Sequence, residues 1–199
     1  MYKIVLIALI AFLTLGVFNL KAEDAVAEGF SLKDSKGITH KLSDYKGKWV
    51  VLEWINFGCP FVKKHYESNN MQNLQKKYQS KGVMWFSVCS SAEGKQGHYK
   101  DMNELHKQLS NYRANQNAYL IDESGVVGKQ FGARTTPQIV IINPEGNIIY
   151  NGAIDDISSA DKEDVAKAKN YIDEVFDAVL SGKPSPYSTT KPYGCSVKY

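Results

Sequence analysis

Apolar and polar residues alternate at period two in Phe30-Ser31-Leu32-Lys33-Asp34 and again in Ile38-Thr39-His40-Lys41-Leu42. Ser35-Lys36-Gly37 lies between the two runs, so the pattern predicts a hairpin. A polar turn, Ser43 to Lys48, follows. Val50 to Ile55 is then almost continuously apolar, as expected of a central strand covered on both faces. Helical character runs from Pro60 to about Gln79, with a break near Ser68-Asn69-Asn70. Proline suits a first helical turn, where its missing N–H would be unsatisfied anyway.

Val83 to Val88 reads as the next strand, with Cys89 near its end. A polar stretch leads into a helix over Asp101 to Tyr112. Ala118 to Ile121 is a short strand and Val126 to Phe131 a short helix. Gln138 to Ile142 and Ile148 to Tyr150 flank Asn143-Pro144-Glu145-Gly146-Asn147, an antiparallel hairpin. Val165, Ala168, Ile172, Val175, Phe176 and Val179 recur at helical spacing and predict a last amphipathic helix ending at Gly182. Lys183 to Tyr199 reads as a flexible, proline-interrupted tail carrying Cys195. Strands alternating with helices, plus one closing hairpin, predict an α/β class with helices on both faces of the sheet. No repeat and no second domain boundary interrupts residues 23–182.

Residues 1–22 read as a signal peptide: Lys3 supplies the positive start, Ile4 to Val17 the apolar core and Ala22 the cleavage site. Ala25-Val26-Ala27 is a second possible cut. The other reading is an uncleaved anchor, since Ile4 to Leu20 carries no charge and sits at the short edge of spanning length. Cleavage after Ala22 removes Lys3 and Lys21 and takes the formal charge from +3 to +1. A nearly neutral balance gives no case for nucleic acid or for an anionic membrane surface. Cleavage predicts a periplasmic or secreted protein without stable membrane insertion. Three cysteines, Cys59, Cys89 and Cys195, leave one free or intermittently paired thiol.

Cys59 is the candidate nucleophile. It falls between the Val50–Ile55 strand and the helix opened by Pro60. A thiol at a helix N-terminus meets unpaired N–H groups and the positive end of the dipole, which favour its thiolate. Lys63, one turn on, either adds positive charge or is simply solvated, and the competing reading of Cys59 is a buried, inert cysteine. Glu53 stands inside a strand otherwise made of Val, Leu, Trp and Ile. Burial would raise its pKa and suit it to move protons. The competing reading is an edge-facing glutamate paired with a lysine. Pro137 opens an apolar strand although it has no N–H for a sheet ladder. Trp49, Trp54 and Trp85 read as core aromatics, Asp122-Glu123-Ser124-Gly125 as an ordinary acidic turn, and Arg134 as solvated or near the thiolate. His40, His65, His98 and His106 show no ligand spacing with Cys59, so no metal and no cofactor is expected.

FSLKDSKGITHKLSDYKGKWVVLEW, GVVGKQFGARTTPQIVIINPEGNIIYNGAID and the terminal YGCSVKY resemble a secreted subgroup of thioredoxin-fold redoxin proteins. That group includes thioredoxins and the alkyl hydroperoxide reductase/thiol-specific antioxidant family. The resemblance implies a thioredoxin-like fold over roughly Phe30 to Gly182, with a mixed four- or five-stranded central sheet and an N-terminal hairpin extension. It also implies a cis peptide before Pro137, facing Cys59 and leaving the Thr136 backbone free to pair with a substrate chain. A buried acid is common where Glu53 stands. Pro60, Thr136 and Pro137 would contact substrate.

Two features depart from the parent families. Val62 stands where a thioredoxin has its second cysteine, and Asn56 and Leu52 replace the peroxidase threonine and proline. The resemblance favours Cys195 as the second sulfur, but an external thiol stands level with it and Cys89 comes after. A structural Cys89–Cys195 bridge would leave Cys59 alone. Three functions follow. Cys59 exchanges disulfides with protein thiols or disulfides and is recycled by a reducing thiol partner. It reduces small peroxides through a sulfenic acid. Or the fold only binds polypeptide, without catalysis.

Overall fold

Residues Val50–Trp54 are buried at every position and paired on both sides, so this strand is the axis of the sheet. The computed structural model describes residues 25–199, and the expected signal peptide lies outside them. Along the chain come β1 (Ala25–Val26), β2 (Ser31–Asp34), β3 (Thr39–Lys41), β4 (Val50–Trp54), α1 (Pro60–Glu67) and α2 (Asn70–Gln79). Next are β5 (Met84–Cys89), α3 (Met102–Asn111), β6 (Ala118–Ile121), α4 (Val126–Gln130), β7 (Thr135–Thr136) and β8 (Gln138–Ile142). β9 (Asn147–Gly152), α5 (Tyr171–Val179) and β10 (Cys195–Ser196) complete the order.

The large sheet runs β1-β9-β8-β4-β5-β6-β2-β3. Its five central strands, β9 to β6, are the sheet expected from the resemblance. The N-terminal segments extend it to eight strands, with β1 added beside β9 and the β2–β3 hairpin added beside β6. β4 is parallel to β5 and antiparallel to β8, so the sheet is mixed.

Side chains alternate across β4 because successive residues of a strand point to opposite faces. Val51 and Ile55 join the core beneath α1, α2, α3 and α5, with Tyr66, Leu74, Leu105 and Phe176. Val50, Leu52 and Trp54 join the other core, closed by Phe30 and by Val127 of α4. Helices thus cover both faces, as the pattern predicts.

The predicted break between the first two helices is at Asn69, which takes a left-handed φ of 60°. Three segments depart from the sequence reading. The last helix begins at Tyr171, not near Val165. Lys162–Ala166 is a separate 3-10 turn. Between them the chain bonds back on residues 154–156: Tyr171 N donates to Ile154 O at 2.9 Å and Asp156 N to Lys169 O at 3.2 Å. Those bonds replace helical ones, and Asn170 caps the true start by accepting from Ile172 N and Asp173 N. Asp122, expected in an ordinary acidic turn, is buried. Its carboxylate accepts from Val127 N, Gly128 N and Ser90 Oγ at the head of α4.

The tail expected to be flexible packs against the domain. Asn151 N donates to Ser188 O at 3.0 Å, and Thr190 Oγ1 accepts from Ala153 N at 3.0 Å. Among the described residues no helix is long and apolar enough to cross a membrane. Asn170→Ala removes two bonds from an α5 N-terminus that carries the buried Ile172, Val175 and Phe176. Its urea midpoint should fall by the equivalent of about 1 kcal/mol. An unchanged midpoint would show that the cap is not what starts α5.

Candidate active site

Cys59 is the N-cap of α1, with Pro60 at the first helical position. The loop before it is held by buried Asn56. Its Oδ1 accepts from Gly58 N at 2.9 Å, its backbone O accepts from Cys59 N at 2.9 Å, and its Nδ2 donates to Gln96 O at 3.0 Å. The thiol is not the open group that the sequence reading expects. It is 0% exposed, and it makes no bond to the N–H groups of α1. Its Sγ instead donates to the carbonyl of Thr136 at 3.0 Å. Lys63 points to solvent, and Arg134 is exposed as well.

The Thr136-Pro137 peptide is cis, as the resemblance implies, and it faces Cys59. The Thr136 edge is already taken. β7 pairs antiparallel with β10, Cys195 opposite Thr136 and Ser196 opposite Thr135, and Val197 N donates to Arg134 O at 3.0 Å. Gly194 makes this approach possible. Its φ is 141°, and a Cβ there would lie 2.1 Å from Thr136 O, closer than any side chain tolerates.

Cys195 and Cys59 therefore meet at Thr136. Burial, together with the adjacent Cys59 sulfur, pushes the Cys195 thiol up to about 11. All three cysteines are free thiols. Cys89 has other company, donating to Gly97 O at 3.3 Å beside Tyr119 and Tyr99.

Glu53 is fully buried, and among the described residues no lysine pairs with it. Four donors surround the carboxylate: Tyr66 OH at 2.9 Å, Gln75 Nε2 at 3.2 Å, Trp85 Nε1 at 2.8 Å and Ser87 Oγ at 3.4 Å. Burial raises its pKa to about 7, against the opposing pull of these bonds. A carboxyl group so placed exchanges its proton near neutral pH. Trp54 and Trp85 are core residues, as read, and Trp49 packs at the core's edge on Phe176.

Sequence reasoning missed a polar cluster on the outer side of α1. Lys64 is 1% exposed and pairs with Asp155 at 3.0 Å. It also donates to Ile157 O at 2.7 Å and to Tyr193 OH at 3.1 Å. Tyr193 OH donates to Asp155 and lies 3.4 Å from His65 Nε2. Burial, with the Lys64 cation next to it, pulls His65 down to about 3. The only hint in the sequence was that Lys64 follows Lys63 on the nucleophile's helix, and nothing there marks one of the two as buried.

The pKa of Glu53 sets a pH dependence with a definite sign. Unfolded, the carboxyl loses its proton near 4.5; folded, it keeps it to about 7. Between these values the native state holds more protons than the unfolded chain. Stability from this group is therefore full below pH 4.5 and lost as pH rises through 7, by about 3 kcal/mol. His65 acts in the opposite direction from pH 3 to 6.5, so the difference between wild type and Glu53→Gln isolates the carboxyl. That difference should change by about 3 kcal/mol between pH 4.5 and 8 in urea titrations. A flat difference would show that Glu53 ionises as freely as in the unfolded chain.

Residues 24–151 match the model of the AhpC/TSA family. The thiol-disulfide oxidoreductase ResA of Bacillus subtilis (strain 168) is 28% identical over 152 residues, covering 73% of this chain and 79% of ResA. An uncharacterized conserved protein from Geobacillus kaustophilus superposes with a TM-score of 0.72 at 26% identity, over 88% of this chain and 91% of that one. The thioredoxin domain of a thiol-disulfide oxidoreductase from Bacteroides vulgatus shares the fold, with a TM-score of 0.52 at 19% identity over 74% of this chain and 96% of that one. Since the family model matches residues 24–151, more than half of the 199-residue chain, the chain belongs to the AhpC/TSA family.

Proposed function

We propose that this protein is a thiol-disulfide oxidoreductase working through Cys59, with Cys195 as its second sulfur. The observation that carries the reading is the meeting of the two thiols at Thr136, one bonded to its carbonyl and the other opposite it in a strand pair. The Cys59 thiolate attacks one sulfur of a substrate disulfide. A Cys59–substrate bond forms, and the other substrate sulfur leaves as a thiolate with the electron pair. Cys195, deprotonated as it attacks, then bonds to Cys59, and the remaining substrate sulfur leaves reduced. The substrate has gained two electrons and the enzyme holds a Cys59–Cys195 disulfide. An external thiol partner returns it to the dithiol.

Glu53 supports the cycle as a proton store. It is fully buried on the strand leading to Cys59, and its pKa lies near 7. Pro60 fixes the helix start, and Thr136 and Pro137 form the surface against which a substrate strand lies. An extracytoplasmic setting, expected from residues 1–22, suits a centre that cycles through a disulfide. The substrates on this reading are protein thiols and disulfides.

The family match favours a second reading, in which a peroxide oxidises Cys59. The thiolate takes one peroxide oxygen to become a sulfenic acid and an alcohol or water leaves. Cys195 then condenses with the sulfenic acid, releasing water. Asn56, where peroxidases of the family place a threonine, and the Thr136-Pro137 pair weigh toward disulfide exchange.

Parallel assays of peptide-disulfide reduction and hydroperoxide consumption separate the two. Disulfide reduction should be measurable in wild type and fall roughly 10³-fold or more in Cys59→Ser. Cys195→Ser should stop turnover after one mixed disulfide per chain, while Cys89→Ser should turn over normally. Peroxide consumption that outpaces disulfide reduction, and that Cys59→Ser abolishes, would reverse the assignment. Equal inactivity of wild type and Cys59→Ser in both assays would leave a polypeptide-binding module.

A further inference from the structure

We propose that the socket on α1 that holds Tyr193 is a specificity site of the Cys59 centre. It recognises the phenolic hydroxyl of a polypeptide two residues before the cysteine presented to Cys59, and the chain's own Tyr193-Gly194-Cys195 is its resident ligand. The inference rests on the thiol-disulfide reading above.

The socket is built from groups costly to keep dry. Lys64, His65 and Asp155 are 1%, 0% and 2% exposed. Removing a lysine–aspartate pair from water is costly, and the cost is offset only when further hydrogen bonds complete the site. Tyr193 supplies those bonds, donating to Asp155 and lying 3.1 Å from Lys64 Nζ. Its ring packs edge-on against Phe61 with centroids 5.9 Å apart, and Lys64 Nζ lies 5.3 Å from its centre. Phe61, Lys64 and His65 belong to the helix that Cys59 caps, so the socket and the nucleophile are fixed to one rigid element.

Geometry ties the socket to the sulfur. Tyr193 stands in the socket and Cys195 stands opposite Thr136, joined through Gly194 at a bend with a φ of 141°. Tyr193 in the socket thus sets which residue arrives at Cys59. The pairing of β7 with β10 spans two residues on each strand, too short to fix a register by itself. Gly194 crosses where no side chain fits, so the position between hydroxyl and sulfur takes glycine.

A polypeptide substrate needs the same Thr136 edge. When it adds a strand there, the backbone supplies affinity and the side-chain sockets supply choice. It therefore displaces the tail and is read by the groups that held it.

The test uses the full chain carrying Cys195→Ser, so that mixed disulfides persist. Four peptides identical outside Tyr-Gly-Cys, Phe-Gly-Cys, Ala-Gly-Cys and Tyr-Ala-Cys are each presented as the disulfide with 5-thio-2-nitrobenzoate. The Cys59 thiolate bonds to the peptide sulfur, the peptide–thionitrobenzoate bond breaks, and thionitrobenzoate leaves with the electron pair as a coloured thiolate. Tyr-Gly-Cys should react about 10-fold faster than each of the others. Adding Asp155→Asn should bring the Tyr/Phe ratio close to one. Tyr193→Phe, a change in the tail that spares the domain core, should speed the Tyr-Gly-Cys peptide by weakening its resident competitor. Equal rates for all four peptides, with release still dependent on Cys59, would overturn the specificity site and leave the redox reading standing. Release that Cys59→Ser does not diminish, or no release at all, would overturn both.

Discussion

Thr136 is the backbone unit on which the site depends. Its carbonyl receives the Cys59 thiol, and its edge receives the strand that carries Cys195. A buried thiol without a partner would be tolerable, since sulfur is a weak hydrogen-bonding group. An unpaired peptide edge in the same place would not be. The tail therefore has a structural reason to lie there whatever its chemistry, and lying there brings the second sulfur to the first. In this closed arrangement neither sulfur is presented to a large substrate. Turnover with polypeptides requires β10 to leave Thr136, and the ladder to be opened spans two residues on each strand.

Charge placement around α1 supports the same arrangement. The helix is covered on its inner side by the sheet, through Val62 and Tyr66, and on its outer side by residues 155–157 and the tail, through Lys64. A buried lysine on the nucleophile's helix would be costly if the tail left it dry and unpaired. Asp155 and the Ile157 carbonyl stay with Lys64 when Tyr193 leaves, so the pair can be re-exposed without losing every partner. Glu53 is a different kind of buried charge. Its donors come from α1, α2 and β5, elements of the permanent core, and its proton equilibrium belongs to the domain rather than to the tail.

Family membership fixes the scaffold and leaves the chemistry to these particulars. The match to AhpC/TSA covers residues 24–151 and stops before the tail, so the second sulfur, Asp155 and Tyr193 lie outside it. Much of the domain was legible from periodicity. The hairpin at Ser31–Lys41, the buried strand at Val50–Trp54, the break at Asn69 and the β8–β9 hairpin all follow from alternation, breakers and turn residues. Cys59 and Pro137 stood out because each is an unusual residue at a strand boundary.

What sequence did not disclose depends on contacts between distant segments. The last helix starts late because residues 169 and 171 bond to the chain near Ile154, which no local pattern encodes. The tail looks unstructured because its order comes from Thr190 against β9, Gly194 against Thr136 and Tyr193 against α1. Lys64 hides for the same reason, since the tail and not the sheet closes over it. Glu53 was flagged by its apolar strand, yet its partners could be identified only once the fold had brought four donors around it.

The most direct measurement is the disulfide pattern of the full chain equilibrated in a glutathione buffer and mapped, after acid quenching and blocking of free thiols, by non-reducing proteolysis and mass spectrometry. One Cys59–Cys195 link, with Cys89 blocked as a free thiol, is the predicted result. A Cys89–Cys195 link, or Cys59 recovered only as a free or glutathione-bound residue across the whole range of potentials, would contradict the account.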